Sequence, residues 1–363
     1  MKGRLEKVFM IVASVWGTLR ILIARPRIII FGTNAMTNRP YDPRMAKIYT
    51  WLDEYHISYA HLIRAMPGSN AISHWFRRRN PIIYFGTLPF LGRIFQASGA
   101  QQLWGIDDYR QWPLLVAVAH RAGLKTVIFQ HGRFTRHQAG LAFPVQISPS
   151  LILPDVYIVW NEYWRDTLLS LSVPFAQHAD RVWVGGKASQ SITYSFTPHH
   201  HDQIITILWP YEPRAHAAEV NTYLKRLLNE PNIRVLYKIR KELSRSAQLE
   251  RITPLLREHQ RFEVIDAVTP EVLGRIDMVL GSYSTMLYEL GEAGIPIGVM
   301  QMSTTQAASL IEDGTAQMID HADPHMIDIV RRWAQVSDEQ RWEQHRRMAT
   351  TVDLRNTLSR LIQ

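Results

Sequence analysis

The chain has 363 residues, of which 46% are hydrophobic and 20% charged, so it can form about two folded domains and is not a disordered protein. It contains no cysteine, which excludes disulfides, iron–sulfur clusters, thiolate zinc sites and a cysteine nucleophile. The formal net charge of +9 indicates an anionic partner. No nucleic-acid-binding motif accompanies that charge, so we expect a membrane surface or a phosphorylated molecule and no nucleic acid.

The amino-terminal segment is apolar and has basic ends. Residues 8–24 contain one charge, Arg20, and are shorter than the roughly 20 residues that span a bilayer. Basic residues flank them: Lys2, Arg4, Lys7 and Arg25. Pro26 and a strand-like run follow where a signal peptide would be cleaved. We therefore expect residues 1–25 to form an amphipathic helix on an anionic membrane surface; a helix packed on the first domain is the alternative.

Strand-like and helical patterns alternate through the first half of the chain. Helical spacing covers residues 42–55 and 113–122. Buried strands are predicted at residues 27–31, 57–63, 81–85, 125–129, 154–160 and 181–184. This alternation predicts a mostly parallel α/β sheet in an amino-terminal Rossmann-like domain, residues 26–195.

A polar, turn-prone segment, residues 189–203, separates the two halves and is predicted to be a linker. His199, His200 and His201 lie in it. Adjacent histidines have poor geometry for a single metal site, so we favour a solvated linker over a metal site.

The second half repeats the alternation. Strands are predicted at residues 204–209, 233–237, 262–265, 278–280 and 297–300, and helices at 215–228, 249–258, 270–275, 324–334 and 339–361. We assign residues 203–340 to a second Rossmann-like domain and residues 341–363 to a helix that packs back on the first. The predicted fold class is α/β, with two Rossmann-like domains facing across a cleft where ligands would bind.

A hydroxyl-rich turn at residues 281–285 joins a buried strand to a helix. Ser282, Ser284 and Thr285 could cap that helix, or could bind an anion together with its free N–H groups. Glu289 follows one helical turn later and could accept hydrogen bonds from the hydroxyls of a ribose. An ordinary capped helix is the alternative, because such a turn is weakly specific.

Three other groups of residues follow predicted strands. Lys238 and Arg240 could neutralise a phosphate or could form the basic edge of a surface strand. His131 lies in the run Gln-His-Gly-Arg and could act as a general base, a proton donor or a hydrogen-bond donor. Asp107 could activate an acceptor hydroxyl, and the neighbouring Asp108 could be a helix N-cap.

The chain resembles the GT-B glycosyltransferases, which have two Rossmann-like domains. Residues 279–299, VLGSYSTMLYELGEAGIPIGV, are similar to an element of their second domain, and residues 105–132, GIDDYRQWPLLVAVAHRAGLKTVIFQHG, resemble a run in bacterial surface-polysaccharide transferases. Residues 235–242, VLYKIRKE, depart from the Lys-x-His-Pro pattern of these relatives, because Arg240 and Lys241 replace His and Pro.

The resemblance implies a role for each of these groups. Ser282, Ser284 and Thr285 would bind the donor phosphate. Glu289 would bind the ribose or the transferred sugar. The cations Lys238 and Arg240 would offset leaving-group charge. Asp107 and His131 become the catalytic candidates on the acceptor side. No metal or other cofactor is expected, because helix dipoles and cations would stabilise the departing nucleotide.

These expectations describe a metal-independent glycosyltransferase. It would transfer a sugar from a nucleotide-activated donor to a bacterial surface polysaccharide or lipid-linked glycan, as in capsule or lipopolysaccharide synthesis. It would be cytoplasmic and peripheral at the inner face of the cytoplasmic membrane. The alternatives are a transferase that moves polyol phosphate from a CDP-activated donor, a nucleotide-sugar epimerase of the same fold, and a non-catalytic scaffold of a membrane assembly complex.

Overall fold

The computed structural model describes residues 12, 15, 18, 19, 21–32, 43–65, 82–84, 88–107, 112–130, 132, 152–188, 196, 198, 203–240, 243–303, 305 and 307–363. The chain divides into two compact units. The amino-terminal unit comprises Met1–Ile192 and Thr350–Gln363, and the carboxyl-terminal unit comprises Thr193–Ala349. The division at residue 192 falls inside the polar segment that the sequence marks as a linker.

The amino-terminal unit contains a seven-stranded parallel sheet in the order β3-β2-β1-β4-β5-β6-β7. Its strands are β1 (Ile28–Gly32), β2 (Tyr59–Ala65), β3 (Ile82–Tyr84), β4 (Gln102–Ile106), β5 (Lys125–Phe129), β6 (Val156–Val159) and β7 (Val182–Val184). Ile28, Ile29 and Ile30 of β1 are fully buried, as expected of a central strand covered on both faces. The helices between these strands are α1 (Ala46–Glu54), α2 (Leu88–Ser98), α3 (Trp112–Arg121), α4 (Glu162–Leu171) and α5 (Val173–Gln177).

The carboxyl-terminal unit contains a six-stranded parallel sheet in the order β10-β9-β8-β11-β12-β13. Its strands are β8 (Ile205–Pro210), β9 (Ile233–Lys238), β10 (Phe262–Ile265), β11 (Met278–Gly281), β12 (Ile297–Met300) and β13 (Ala316–Ile319). Its helices are α6 (Ala217–Leu228), α7 (Arg245–Leu249), α8 (Pro254–Arg257), α9 (Pro270–Leu273), α10 (Met286–Gly291), α11 (Ala308–Glu312), α12 (Met326–Ala334) and α13 (Asp338–Met348).

The end of the chain forms two helices where the sequence predicted one. α13 belongs to the carboxyl-terminal unit, and α14 (Leu354–Ile362) belongs to the amino-terminal unit. Leu354, Leu358 and Leu361 of α14 enter the core formed by β1, β4 and β5. The segment between these helices contains Asp353, whose side chain caps α14 by accepting from the N–H of Arg355.

The predicted fold class is confirmed: the chain is α/β, with two Rossmann-like sheets. Both follow the doubly wound order, in which the strand sequence reverses beside the first strand. The sequence analysis predicted neither β4 and β13 nor the helix α2. The predicted helix at residues 249–258 is two short helices, because Pro254 begins a new one.

The described positions before β1 are helical at residues 12, 15, 18, 19 and 21–24. Ile21 is buried, whereas Val12, Val15, Leu19 and Ile23 are exposed and follow the three- and four-residue spacing of one helix face. No helix within the described parts of the chain is long and apolar enough to cross a bilayer.

Candidate functional site

The candidate site of the carboxyl-terminal unit lies where the strand order reverses, between β8 and β11. Ile207 and Leu208 of β8 pair with Met278 and Val279 of β11, so the two loops that follow these strands emerge side by side. Ligands of doubly wound sheets bind outside the carboxyl ends of the strands at this point. The loops contribute Glu212 after β8 and residues 282–285 after β11.

The Glu212 carboxylate occupies the turn after β11. It is 3% exposed and accepts hydrogen bonds from the main-chain N–H groups of Ser282, Tyr283 and Ser284 at 2.7–3.0 Å. The Ser282 hydroxyl donates a further hydrogen bond at 2.6 Å. Consecutive N–H groups that converge on one point form an anion-binding concavity. Here the anion is supplied by the protein itself.

Two neighbours shape this arrangement. A Cβ at Gly281 would lie 3.1 Å from Glu212 Oε1 and 3.2 Å from Leu287, so the close approach of the carboxylate favours a glycine. Arg251 holds the loop from the other side and donates to the carbonyl oxygens of Glu212 and Pro213 at 3.2 and 2.9 Å. The loop after β8 and the turn after β11 are therefore fixed to each other.

Cations and a phenol surround the outer part of the site. The Tyr283 hydroxyl accepts from the N–H of Arg214 at 2.5 Å. The pKa of Tyr283 is raised above its ordinary value, chiefly by burial and also by the charge of Glu212. The hydrogen bond from Arg214 and the charges of Arg240 and Arg214 offset part of this rise. Arg214 is bonded to this phenol through its main-chain N–H, Arg240 lies two residues past the end of β9, and both arginine residues are exposed. Together they could bind an anion from solvent.

Lys238 and Arg240 extend this cationic region along the next strand. Lys238 ends β9 beside Pro210, and its carbonyl oxygen accepts from the N–H of Tyr211 at 2.8 Å. The buried Gln248 side chain holds the backbone of Arg240 through both its N–H and its carbonyl oxygen, at 2.7 and 2.8 Å. The arginine backbone is thus fixed while its side chain remains exposed.

The turn differs from the sequence expectation in one respect. The N–H groups of residues 282–284 were expected to be open to a donor phosphate, and Glu212 takes all three. Ser282 and Ser284 are buried, and the Ser284 hydroxyl oxygen accepts from the N–H of Met286 at 3.3 Å. Thr285 is exposed and Glu289 half-buried in the first turn of α10. Within the described residues, these two side chains and the nearby cations are the groups that a ligand could reach.

In the amino-terminal unit, Asp107 also lies at a strand-order reversal, directly after β4. Its carboxylate is 1% exposed and accepts from the Tyr157 hydroxyl at 2.5 Å. Burial raises the pKa of Tyr157, and the Asp107 charge raises it further. The sequence suggested that Asp107 faces an acceptor hydroxyl. The structure instead places it in a buried hydrogen bond to Tyr157 of β6, which suits a residue that holds the carboxyl ends of these strands in position.

His131 and Asp108 lie outside the described residues, as do His199, His200 and His201. The residue before His131 is well fixed. Gln130 is buried, its side-chain oxygen accepts from the N–H of Trp160 at 3.0 Å, and its carbonyl oxygen accepts from the Trp160 indole at 2.9 Å. Its side-chain nitrogen donates to the carbonyl oxygen of Gly132 at 2.7 Å. These bonds anchor both flanks of residue 131.

Sequence reasoning missed Glu212, Arg214 and Tyr157. Glu212 follows a predicted strand by three residues, so the rule that favoured Lys238 could also have selected it. Its role depends on β8 lying beside β11, a neighbour relationship between residues 70 positions apart. Within the described residues, no group of three or more His, Asp or Glu side chains has the arrangement of a metal site.

Comparison with known proteins identifies the fold. No protein-family model matches the chain, and no curated protein sequence matches it. Solved structures do match over 92–93% of the chain, among them the glycosyltransferase of kitacinnamycin (12% identity, 99% of that chain covered, TM-score 0.59). A putative UDP-N-acetylglucosamine 2-epimerase from Listeria monocytogenes matches at 14% identity (95% covered, TM-score 0.58), and MnaA of S. aureus, solved with UDP, at 14% (94% covered, TM-score 0.57). The chain therefore has the GT-B fold.

Proposed function

We propose that the chain is a metal-independent glycosyltransferase that uses a nucleotide-activated sugar. The observation that carries this proposal is the cationic region at the strand-order reversal of the carboxyl-terminal unit. Arg214 is bonded through its N–H to Tyr283 of the Glu212-anchored turn. Lys238 and Arg240 lie at the carboxyl end of β9, the strand beside β8, where a doubly wound sheet binds its ligand. Fixed cations and dipoles stabilise a departing nucleotide without reorganisation when charge develops.

The donor contacts follow from what remains accessible. Arg214, Lys238 and Arg240 would bind the phosphates. The Thr285 hydroxyl would contribute a hydrogen bond, and Glu289 would bind the ribose or the transferred sugar. Ser284 is buried and would support the turn. Ser282 supports the turn through Glu212 instead of touching the donor. UDP in the solved MnaA structure is consistent with a pyrimidine diphosphate donor in this fold.

On the acceptor side we assign the general base to His131 and a positioning role to Asp107. Gln130 fixes the backbone on both flanks of His131, which suits a side chain that must be held within hydrogen-bond reach of an acceptor hydroxyl. Asp107 is buried and accepts a hydrogen bond from Tyr157. It follows β4, the neighbour of the strand β5 that precedes His131. We expect His131→Gln to lower kcat strongly, and Asp107→Asn to lower kcat and stability together.

A thermal-shift measurement with CMP, CDP, UDP, GDP and dTDP tests the donor site. A nucleotide at about 100 times its Kd should stabilise the protein by roughly 2.7 kcal/mol. Arg240→Ala and Lys238→Ala should remove the shift. Arg245→Ala should retain it, because the Arg245 guanidinium is already paired with Asp266 at 3.1 Å. If no nucleotide shifts the melting temperature, the non-catalytic scaffold replaces this proposal.

Turnover assays then separate the reactions. Release of nucleotide from a nucleotide sugar, dependent on a glycan acceptor and unaffected by EDTA, is the expected result. Conversion of UDP-N-acetylglucosamine to its 2-epimer without an acceptor would identify an epimerase. Transfer from a CDP-polyol would identify the phosphotransferase. Either of these two outcomes contradicts sugar transfer.

We also propose that the amino-terminal helix attaches the protein to the inner face of the cytoplasmic membrane, where it would extend a bacterial surface polysaccharide or lipid-linked glycan. The supporting observation is the exposed stripe of Val12, Val15, Leu19 and Ile23 on a helix whose opposite face buries Ile21. An apolar stripe with basic flanks suits an anionic lipid surface. Sedimentation with phosphatidylglycerol vesicles should pull down the protein, and Leu19→Glu should abolish this. Equal binding by the variant contradicts the proposal.

A further inference from the structure

A pocket of about 250 Å³ lies at the opposite edge of the carboxyl-terminal sheet from the candidate donor site. Pro296 precedes β12, and Gly314 and Thr315 precede β13, so the pocket opens at the amino ends of parallel strands. Trp333 near the end of α12 and one side of α13 complete its wall. Its volume is below the roughly 300–1,000 Å³ of pockets for drug-sized ligands, so it suits a single ring.

One buried hydroxyl at this pocket has no hydrogen-bond partner within the described part of the chain. Thr315 is 5% exposed, and among the described residues its Oγ1 has no hydrogen-bond partner. Its N–H donates to the Asp313 side chain at 2.9 Å, which fixes the backbone beside the pocket. A buried polar group without a partner costs free energy, so its presence calls for an explanation. As the side chain stands its Oγ1 is shielded, and a rotation of the Thr315 side chain toward the pocket would let a ligand hydroxyl satisfy it.

The remaining lining is fixed and offers complementary groups. The Trp333 indole N–H donates to the Ile297 carbonyl oxygen at 2.9 Å, so the ring contributes its apolar surface. Gln344 uses its amide nitrogen on Gly291 and Ile295, which leaves its side-chain oxygen as an acceptor. Gln340 uses its oxygen on the N–H of Ser337, which leaves its amide as a donor.

The charges that line the pocket are balanced. Glu343 and Arg347 both contribute to it, and Arg347 also donates to the Asp313 carbonyl oxygen at 3.0 Å. A strongly charged ligand would meet one like charge, so the lining favours a neutral molecule. An aromatic wall, a hydroxyl and two planar amides match a sugar ring, which has an apolar face and hydroxyls at its edge.

We propose that this pocket binds one uncharged sugar residue, a hexose or an N-acetylhexosamine, separately from the donor site. The inference goes beyond the transfer reaction: it gives the carboxyl-terminal unit a second carbohydrate contact. A polymer or lipid-linked glycan could be held there by a residue that does not react.

Fluorine NMR on protein labelled with 5-fluorotryptophan tests the proposal. The Trp333 resonance is assigned by its loss in Trp333→Phe, and methyl glycosides of hexoses and N-acetylhexosamines are then titrated. We expect this resonance to shift saturably at millimolar concentrations. Thr315→Val should weaken binding roughly two- to tenfold, the effect of losing one hydrogen bond. Thr222→Val, which removes an exposed hydroxyl elsewhere in the unit, should not change binding.

The melting temperature of Thr315→Val and the binding of nucleotide by Arg240→Ala are the controls. Thr315→Val should melt at the same or a higher temperature, because a methyl group replaces a hydroxyl without a partner, so weaker binding cannot be attributed to unfolding. Arg240→Ala should abolish nucleotide binding and leave the glycoside titration unchanged, which separates this pocket from the donor site. No saturable shift with any glycoside overturns the inference. A shift with uridine alone, or unaltered binding by Thr315→Val, also overturns it.

Discussion

Glu212 binds Ser282 twice: its carboxylate accepts from the main-chain N–H at 2.9–3.0 Å and from the hydroxyl at 2.6 Å. The N–H groups that would bind a donor phosphate in this turn are therefore already occupied by a carboxylate of the protein. This relationship shifts the candidate phosphate contacts from the backbone to Arg214, Lys238 and Arg240, and it makes the turn a rigid support for the side chains around it.

Removing this carboxylate should destabilise the protein and open an anion site. In Glu212→Ala, three buried N–H groups lose their acceptor at a cost of about 1–3 kcal/mol each, so we expect a loss of several kcal/mol. Tens of millimolar phosphate or sulfate should restore part of it by occupying the vacated turn. Thermal unfolding of the variant with and without these anions measures both effects.

Glu219→Ala is the matched control, because Glu219 also accepts from a main-chain N–H, that of Ser303, at an exposed position. It should lose little stability and gain no more from the anions than the wild-type protein does. Equal anion effects in all three proteins would show that the salts act generally and that no anion site opens.

Gly281→Ala should destabilise the protein by roughly 1–3 kcal/mol, because the new Cβ would lie 3.1 Å from Glu212 Oε1. The cost should be smaller in a Glu212→Ala background, since the crowded atom is gone. Chemical denaturation of the two single variants and the double variant measures this coupling. Gly92→Ala in α2, where the nearest atom is 3.7 Å away, should be neutral or stabilising. Strict additivity at Gly281 would contradict the assigned contact.

Asp155 should make stability fall at acid pH. Burial tends to raise its pKa, but hydrogen bonds from Thr126 and the nearby His120 outweigh burial, so the pKa of Asp155 lies below its ordinary 3.8. Its contribution is therefore complete above pH 3.8 and is lost as the pH falls through the lower, folded value. Asp155→Asn should cost about 1 kcal/mol at pH 7, because the group is partly exposed, and should flatten the acid limb of a stability profile.

Arg341 is a buried cation that the core could lose. It is 1% exposed, and among the described residues only its Nε has a hydrogen-bond partner, the Gly294 carbonyl oxygen at 3.3 Å. Burial lowers its pKa, while Asp277 and Asp338 raise it. Arg341→Met keeps the packed stem and should change the unfolding free energy by no more than about 1 kcal/mol. Arg341→Ala should cost roughly 2 kcal/mol or more. Equal losses would show that the guanidinium charge itself is required.

The sequence alone determined the fold class and most of the strands, because buried parallel strands appear as short apolar runs and helices as periodic ones. It placed Asp107, Lys238, Arg240 and the turn at 281–285 at strand ends for the same local reason. β4 was missed because Gln102 and Gly105 interrupt its apolar run, and β13 because Gln317 does.

Only the tertiary structure decided which side chains the residues at these strand ends contact. Strand order brings β8 beside β11, and that neighbour relationship puts Glu212 into the turn and hides Ser282 from solvent. It likewise brings Tyr157 to Asp107, 50 residues apart, and turns a candidate base into a buried hydrogen-bond acceptor. Local patterns encode which residues end a strand. Which strand ends meet depends on long-range packing of the whole sheet, which no local pattern carries.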